Sequence, residues 1–124
     1  MRSSLGTKIT GRLVFSTYRT KREASKIARK AVSDRLAACA NIFPIYSIYA
    51  WEGKIEEGIE VMVLYKTTST KLRLLRRYIR DSHGYRVPEI VDLEMKSVNR
   101  SYLGWLVSAT SSDSGVPQQR HNTA

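Results

Sequence analysis

The stretch ANIFPIYSIYAWEGKIEEGIEVMVLYKT, residues 40–67, is the longest uninterrupted run of strand-forming sequence in this chain of 124 residues. It is rich in Ile, Val, Tyr, Phe and Trp, whose β-branched and aromatic side chains favour a pleated strand over a helix. The stretch therefore predicts two long antiparallel strands. We expect a hairpin connection at Glu56-Glu57-Gly58, where polar residues precede a glycine that can take positive φ.

The first of these predicted strands is apolar on both faces. Its alternate positions group Phe43, Ile45, Tyr49, Trp51 and Ile55 on one face and Ile42, Tyr46 and Ile48 on the other. An antiparallel strand with one solvated face should alternate apolar and polar side chains instead. A monomer of this length has too few residues to cover two apolar faces, so the hairpin predicts an oligomer.

The elements around the hairpin predict the rest of the fold. Thr20 with Glu23 forms a capping box, so we expect a helix to begin there. That helix is expected to end near Ala38. The other expected elements are a strand at 8–17, a second helix after 67–69 that stops at 82–84, a strand at 89–98 and a helix at 100–109 capped by Asn99. This order is that of an α+β, ferredoxin-like βαββαβ sandwich with a short C-terminal helix. We expect one domain at 8–109, with a flexible N-terminus at 1–7 and a disordered tail at 110–124.

Composition excludes several classes of protein. Cys39 is the only cysteine, which excludes an internal disulfide and a multi-cysteine metal site. No segment approaches the roughly 20 apolar residues that cross a bilayer, and the N-terminus lacks the apolar centre of a signal peptide. These features predict a soluble, cytoplasmic protein with no membrane partner. Nucleotide-binding glycine loops and the H-E-x-x-H zinc motif are also missing from the sequence, so we expect no enzymatic activity.

The net charge of +10 is large for this length, and the basic residues concentrate at 19–35 and 71–80. Both segments fall on predicted helices. One interpretation is a solvated helical face, and the alternative is a module that binds nucleic acid through phosphate contacts on that face. The pattern that displays aromatic residues on a sheet for base stacking does not occur here.

Several strings of this sequence resemble the CutA family, the divalent-cation tolerance proteins. They are RLAACANI at 35–42, SIYAWEGKIE at 47–56, KT at 66–67, HGYRVPEI at 83–90, and Asn99 followed by Tyr102 and Trp105. The match runs in order from about Arg12 to Val107. The resemblance implies a ferredoxin-like subunit in a homotrimer, with the hairpin continuing into neighbouring subunits and an architecture related to PII signalling proteins.

The resemblance also implies a copper site. The family's proposed ligands are a cysteine near the end of the first strand and histidines at the end of the second helix. Here the first position holds Ser16, the helix end offers Ser82 and His83, and Gly84 stands where proline is usual. A hydroxyl is a poor copper ligand compared with thiolate or imidazole. His83 is therefore the metal candidate, for copper or another divalent metal, and further ligands would have to come from a trimer axis or a neighbouring subunit.

Other residues of the matching strings are candidates for a cleft between subunits that takes a small anionic ligand or a metal. They are Cys39, Trp51, Glu52, Lys54, Lys66, Tyr85 and Glu89. The alternative is structural, with Trp51 as an aromatic interface anchor and Cys39 as a small packed hydrophobe. From these features we predict a trimeric protein of divalent-metal (copper) tolerance that binds or signals rather than catalyses.

Overall fold

The computed structural model describes residues 8–111, which form a four-stranded antiparallel sheet and three helices. The strands are β1 (Gly11–Tyr18), β2 (Cys39–Trp51), β3 (Lys54–Thr68) and β4 (Val91–Glu94), and the helices are α1 (Lys21–Ser33), α2 (Leu72–Ser82) and α3 (Arg100–Ala109). The strands lie side by side in the order β2-β3-β1-β4. The predicted α+β, ferredoxin-like fold is confirmed.

The two predicted ends of the chain fall mostly outside this description. The N-terminal segment 1–7 and residues 112–124 lie outside the described residues. Thr110, the first residue of the predicted tail, is buried at the end of α3, where its Oγ1 donates to the Leu106 carbonyl at 2.8 Å.

Helix α1 begins at the predicted cap but ends earlier than predicted. Thr20 Oγ1 accepts a hydrogen bond from the Glu23 N–H at 3.1 Å, as in a capping box. The predicted end near Ala38 is wrong, because the helix stops at Ser33 and Arg35 takes a φ of 62°. The next N–H, that of Leu36, then turns back to bond the Ala31 carbonyl at 2.9 Å. A residue in the left-handed region closes a helix in this way by returning later N–H groups to its last carbonyls.

The turn of the long hairpin lies at Glu52-Gly53, so the predicted connection at Glu56-Glu57-Gly58 is wrong. Glu52 has a φ of 50° and Gly53 a φ of 81°. Two central residues with positive φ make a tight turn whose twist matches that of the strands. This turn lets β2 and β3 pair without a break from Cys39 opposite Lys66 to Trp51 opposite Lys54. The residues at 56–58 are therefore ladder positions of β3.

The remaining boundaries differ from the predictions in detail. β1 starts later and β4 is shorter than predicted. The residues at 67–69 were candidates for the cap of α2, but Thr67 and Thr68 belong to β3 and Lys71 occupies the cap position without a side-chain bond. α3 spans the predicted residues, but the Asn99 side chain donates to Ser101 Oγ and makes no cap bond. None of the helices within residues 8–111 is long and apolar enough to cross a membrane.

The core lies between one face of the sheet and helices α1 and α2. The apolar side chains on this face of β1 and β3 pack against those of the two helices: Val14, Tyr18, Val63 and Tyr65 against Ala24, Ile27, Ala28, Ala31, Leu75 and Ile79. The Tyr18 and Tyr65 hydroxyls share a buried hydrogen bond of 2.5 Å. The Tyr78 hydroxyl donates to the Ile27 carbonyl at 3.0 Å and joins the two helices.

The hairpin extends well beyond this core. We call residues 39–45 with 60–66 the hairpin base, and residues 46–59 the hairpin tip. Thirteen residues of β2 reach roughly 40 Å at about 3.3 Å each. In the tip, large apolar side chains are exposed: Ile55 by 71%, Ile59 by 70%, Ile48 by 65%, Tyr46 by 62% and Tyr49 by 47%. The apolar faces predicted for the hairpin are thus left uncovered by the described part of the same subunit.

Candidate functional site

An open cleft of about 800 Å³ lies between the hairpin and the loop that connects α2 to β4. We call residues 83–89 the 83–89 loop. The cleft is walled by aromatic side chains and carries both signs of charge. Its aromatic residues are Tyr46, Tyr49, Trp51 and Tyr85, and its charged residues are Arg19, Arg86, Glu56, Glu60 and Glu89. Of the predicted site residues, the structure brings Trp51, Tyr85 and Glu89 together here.

His83 fixes the start of the 83–89 loop and does not line the cleft. Its Nδ1 accepts the Tyr85 N–H at 3.1 Å, so the proton of the neutral ring is on Nε2, which donates to the Thr17 carbonyl at 2.8 Å. The ring stacks on Tyr18 with centroids 4.4 Å apart. Burial lowers the pKa of His83 below its ordinary value of 6.5. Both ring nitrogens are thus engaged within the chain.

Gly84 is tied to the first helix. Its N–H donates to Glu23 Oε2 at 2.9 Å, so the carboxylate of the predicted capping box reaches the loop instead of returning to Thr20. A Cβ at this position would lie 2.5 Å from the same oxygen. Glycine therefore permits the close approach between the 83–89 loop and α1.

Tyr85 connects the loop to β3. Its hydroxyl donates to Glu60 Oε2 at 2.6 Å, and the Arg19 guanidinium lies 5.7 Å from its ring centroid. Burial first, and the neighbouring Glu60 carboxylate second, raise the pKa of Tyr85 above its ordinary value of 10.0. Tyr85 is therefore a neutral donor at physiological pH, and it holds the floor of the cleft in place.

Arg86 connects the loop to the hairpin tip. Its Nη2 lies 3.1 Å from Glu52 Oε2, and its guanidinium lies 5.4 Å from the centroid of the Trp51 ring. Both charged side chains are exposed, so this ion pair contributes little to stability. The predicted candidate Glu52 thus contacts the loop from the turn, at the rim of the cleft.

Three predicted candidates do not line the cleft in a single subunit. Cys39 and Lys66 face each other at the far end of the ladder, about 30 Å from Tyr49 along β2. The Cys39 thiol lies 3.7 Å from Asn41 Oδ1. Lys54 pairs with Trp51 beside the turn.

Ser16 and Ser82, the two hydroxyl residues at the copper positions of the family, do not line the cleft either. Ser16 is fully buried, and Ser82 is the exposed last residue of α2. Residues 8–111 contain no group of three or more His, Cys, Asp or Glu side chains that could hold a metal ion. The rings that contact His83 are those of Tyr18 and Tyr85, and neither supplies the thiolate or second imidazole that copper prefers.

The sequence analysis missed four residues that shape this site: Arg19, Glu23, Glu60 and Arg86. Arg86 stands inside the HGYRVPEI string, and that string was the signal that could have found it. Glu23 was read only as a helix cap. Arg19 and Glu60 carry no local signal, because their contact, Tyr85, lies far away in the sequence.

Comparisons with known proteins agree with this fold. Residues 12–109 match the family model for the CutA1 divalent ion tolerance protein. The divalent-cation tolerance protein CutA of Thermus thermophilus is 42% identical over 95 residues, which are 76% of this chain and 92% of that protein. The mouse protein CutA is 43% identical over 99 residues, which are 79% of this chain and 56% of that protein.

The solved structures support the same assignment. CutA from Synechococcus elongatus has a TM-score of 0.80 and 34% identity, covering 85% of this chain and 97% of that one. The chain spans 55–61% of the length of the relatives from mouse, rice, human and Xenopus laevis. Because the family match covers most of the chain, this protein belongs to the CutA1 divalent ion tolerance family.

Proposed function

We propose that this chain acts as a homotrimer in divalent-cation tolerance, by binding or signalling and without catalysis. The observation that carries the proposal is the hairpin tip, where Ile48, Ile55 and Ile59 are each at least 65% exposed. A contiguous apolar surface of this kind marks an interface in a soluble protein. The tolerance role is supported by the names of the relatives, such as the divalent-cation tolerance protein CutA of Thermus thermophilus.

A trimer would place the cleft beside an interface. One wall of the cleft is the hairpin tip, so a neighbouring subunit that covers the tip also borders the cleft. A ligand in the cleft would then bind more tightly to the assembled form, which is the coupling that a signalling role requires. This is our reason for placing ligand binding here.

The charges in the cleft define two classes of ligand. Arg19 and Arg86 can receive a small anion, and Glu56 with Glu89 can receive a divalent cation. In the present geometry Arg86 is paired with Glu52, so an anion would compete with that carboxylate. The proposed ligand is a small anion or a divalent metal, and the two classes are separated by the experiment below.

Copper at His83 is the part of the proposal that the geometry fits least. A metal needs a lone pair on one ring nitrogen, but Nδ1 accepts the Tyr85 N–H and Nε2 donates to Thr17. Copper binding there would break one of these bonds and would take its other ligands from a neighbouring subunit. A His83→Ala variant therefore tests copper directly.

Cys39 supports both the non-catalytic role and a cytoplasmic location. In one subunit its thiol lies against Asn41, while both His83 nitrogens are bonded to Thr17 and Tyr85, so the two form no thiol–imidazole pair. It is a free thiol. A reducing compartment keeps such a thiol unmodified, which is why we propose the cytoplasm.

Native mass spectrometry of the untagged full chain, purified gently from its own cells, tests the proposal. We expect a mass of three subunits, and a retained adduct would identify the class of ligand. The same spectrum after addition of copper, compared between the unmodified protein and the His83→Ala variant, tests the copper site. A monomer would overturn the trimer, and equal copper content in both proteins would remove His83 from the proposal.

A further inference from the structure

The outer surface formed by α1 and α2 is strongly basic. Both helices bury their apolar faces in the core and turn their cationic side chains outward. The exposed cations are Lys21, Arg22, Lys26, Arg29 and Lys30 on α1 and Arg73, Arg77 and Arg80 on α2. The bond from Tyr78 to the Ile27 carbonyl holds the two helices side by side over the sheet, so their outward cations all lie on the helical side of the subunit. We call it the basic helical surface.

Most of this charge has no acidic partner. Asp34 pairs with Lys30 and Asp81 with Arg80, while the Glu23 carboxylate bonds the Gly84 N–H. Among the described residues, no carboxylate lies within ion-pair distance of the remaining exposed cations, which are Lys21, Arg22, Lys26, Arg29, Arg73 and Arg77. A surface built only for solubility would intersperse both signs of charge.

Three of these cations form a row along one side of α1. Arg22, Lys26 and Arg29 follow the i, i+4, i+7 pattern, which places neighbouring Cβ atoms about 5–6 Å apart on one side of the helix. Ser25 and Ser33 lie on the same outer side of α1. Arginine, lysine and serine side chains are among the groups that contact nucleic-acid phosphates.

We propose that the basic helical surface binds the phosphate backbone of nucleic acid without reading its sequence. Tyr78 is the only aromatic residue within 21–33 and 72–82, and its hydroxyl is bonded to a backbone carbonyl. Base stacking would need exposed aromatic side chains, so the contacts must be to phosphates. Most apolar side chains of both helices are buried, and Val32 and Leu74 are the exposed large ones, too few for a helix to insert into a lipid surface. Nucleic acid is thus favoured over a membrane.

The test is binding of the full chain to a fluorescently labelled single strand and a duplex, followed by anisotropy over a series of salt concentrations. The variant Lys26→Gln/Arg29→Gln removes two charges from the row. The matched control Lys8→Gln/Lys96→Gln removes the same net charge from exposed sites outside α1, α2 and the hairpin. We expect affinity to fall steeply with salt, and the first variant to weaken binding about tenfold and to lower the salt slope by about two.

The control distinguishes the effect of a specific binding surface from the effect of net charge alone. It should retain binding within about threefold and keep the original slope, since it leaves the row intact. Equal losses in both variants would overturn the proposal, as would binding that does not depend on salt. Vesicles rich in phosphatidylserine serve as the second probe. Binding to vesicles without binding to either oligonucleotide would also overturn it.

Discussion

The base and the tip of the hairpin are parts of the same two strands, but only the base has a core beneath it. In the base, Val63 and Tyr65 are fully buried under the two helices. In the tip, Ile55 and Ile59 lie on the same face of β3 and are about 70% exposed. The ladder nevertheless continues unbroken to the turn. Strand pairing and a tight turn can therefore carry a hairpin past its own core, and its apolar side chains are then available to another subunit.

The largest expected effect comes from placing charge in the tip. In the trimer that we propose, Ile48→Glu/Ile59→Glu buries two carboxylates in place of two apolar side chains. Each buried isoleucine contributes about 1.5–3 kcal/mol, so assembly should weaken by more than about a hundredfold. Light scattering should show a monomer with an unchanged far-UV circular dichroism spectrum. Lys8→Glu/Lys96→Glu, at two exposed sites outside the hairpin, is the control and should remain assembled.

A truncation in the base should act on folding itself. Tyr65→Ala removes a fully buried ring and leaves the Tyr18 hydroxyl without its partner. We expect the free energy of unfolding to fall by about 3–5 kcal/mol in urea titrations. Ile59→Ala in the tip should cost less than about 1 kcal/mol in a monomeric background. In that monomeric background, an equal loss of unfolding free energy for Tyr65→Ala and Ile59→Ala would contradict the contrast between base and tip.

The turn offers a comparison of two glycines in the tip. Gly53→Ala should destabilise the protein by about 1 kcal/mol, because alanine is strained at a φ of 81°. Gly58 is a ladder residue without positive φ, and nothing lies within 4 Å of a Cβ added at either position. Gly58→Ala should therefore be neutral or slightly stabilising. Thermal unfolding of both variants measures the difference, and equal shifts would argue against strain at the turn.

The smallest expected effect is a dependence on pH at His83, where the 83–89 loop meets β1. The folded state lowers the pKa of this ring below 6.5, so the unfolded chain binds the proton more readily. Stability should therefore be complete above about pH 6.5 and fall as the pH drops toward the folded pKa. The effect is reduced by the partial exposure of the ring. Urea midpoints between about pH 7 and pH 5 should fall less in a His83→Gln variant, and parallel curves would contradict this assignment.

The fold was predictable because its signals are local. The capping box at Thr20, the alternation of β1 and the strand-forming composition of residues 40–67 each depend on residues close in sequence. The wrong boundaries lay where the local sequence was compatible with two structures. Leu36 continues the apolar pattern of α1, but it meets the core from beyond the helix, after the left-handed turn at Arg35. Two glycines follow acidic residues in the hairpin, and the tighter of the two turns is the one that forms.

The site was less predictable because its contacts join distant parts of the chain. His83 bonds Thr17, and Tyr85 bonds Glu60. Periodicity cannot show such pairs. It was the resemblance to a family that located Trp51, Tyr85 and Glu89, whereas the two arginines of the cleft emerged only from the packing of the 83–89 loop against the hairpin.

Strand order in the sheet has a consequence for newly made chains. Because β2 is the outermost strand next to β3, the described residues leave the outer row of its backbone N–H and C=O groups without a strand partner. Only Pro44 interrupts that row of donors. A long apolar edge of this kind is a template for pairing with any extended segment, which is the first step of fibrous aggregation. Rapid assembly of subunits would therefore protect each new chain from aggregation. Synthesis of several copies close together would favour that assembly.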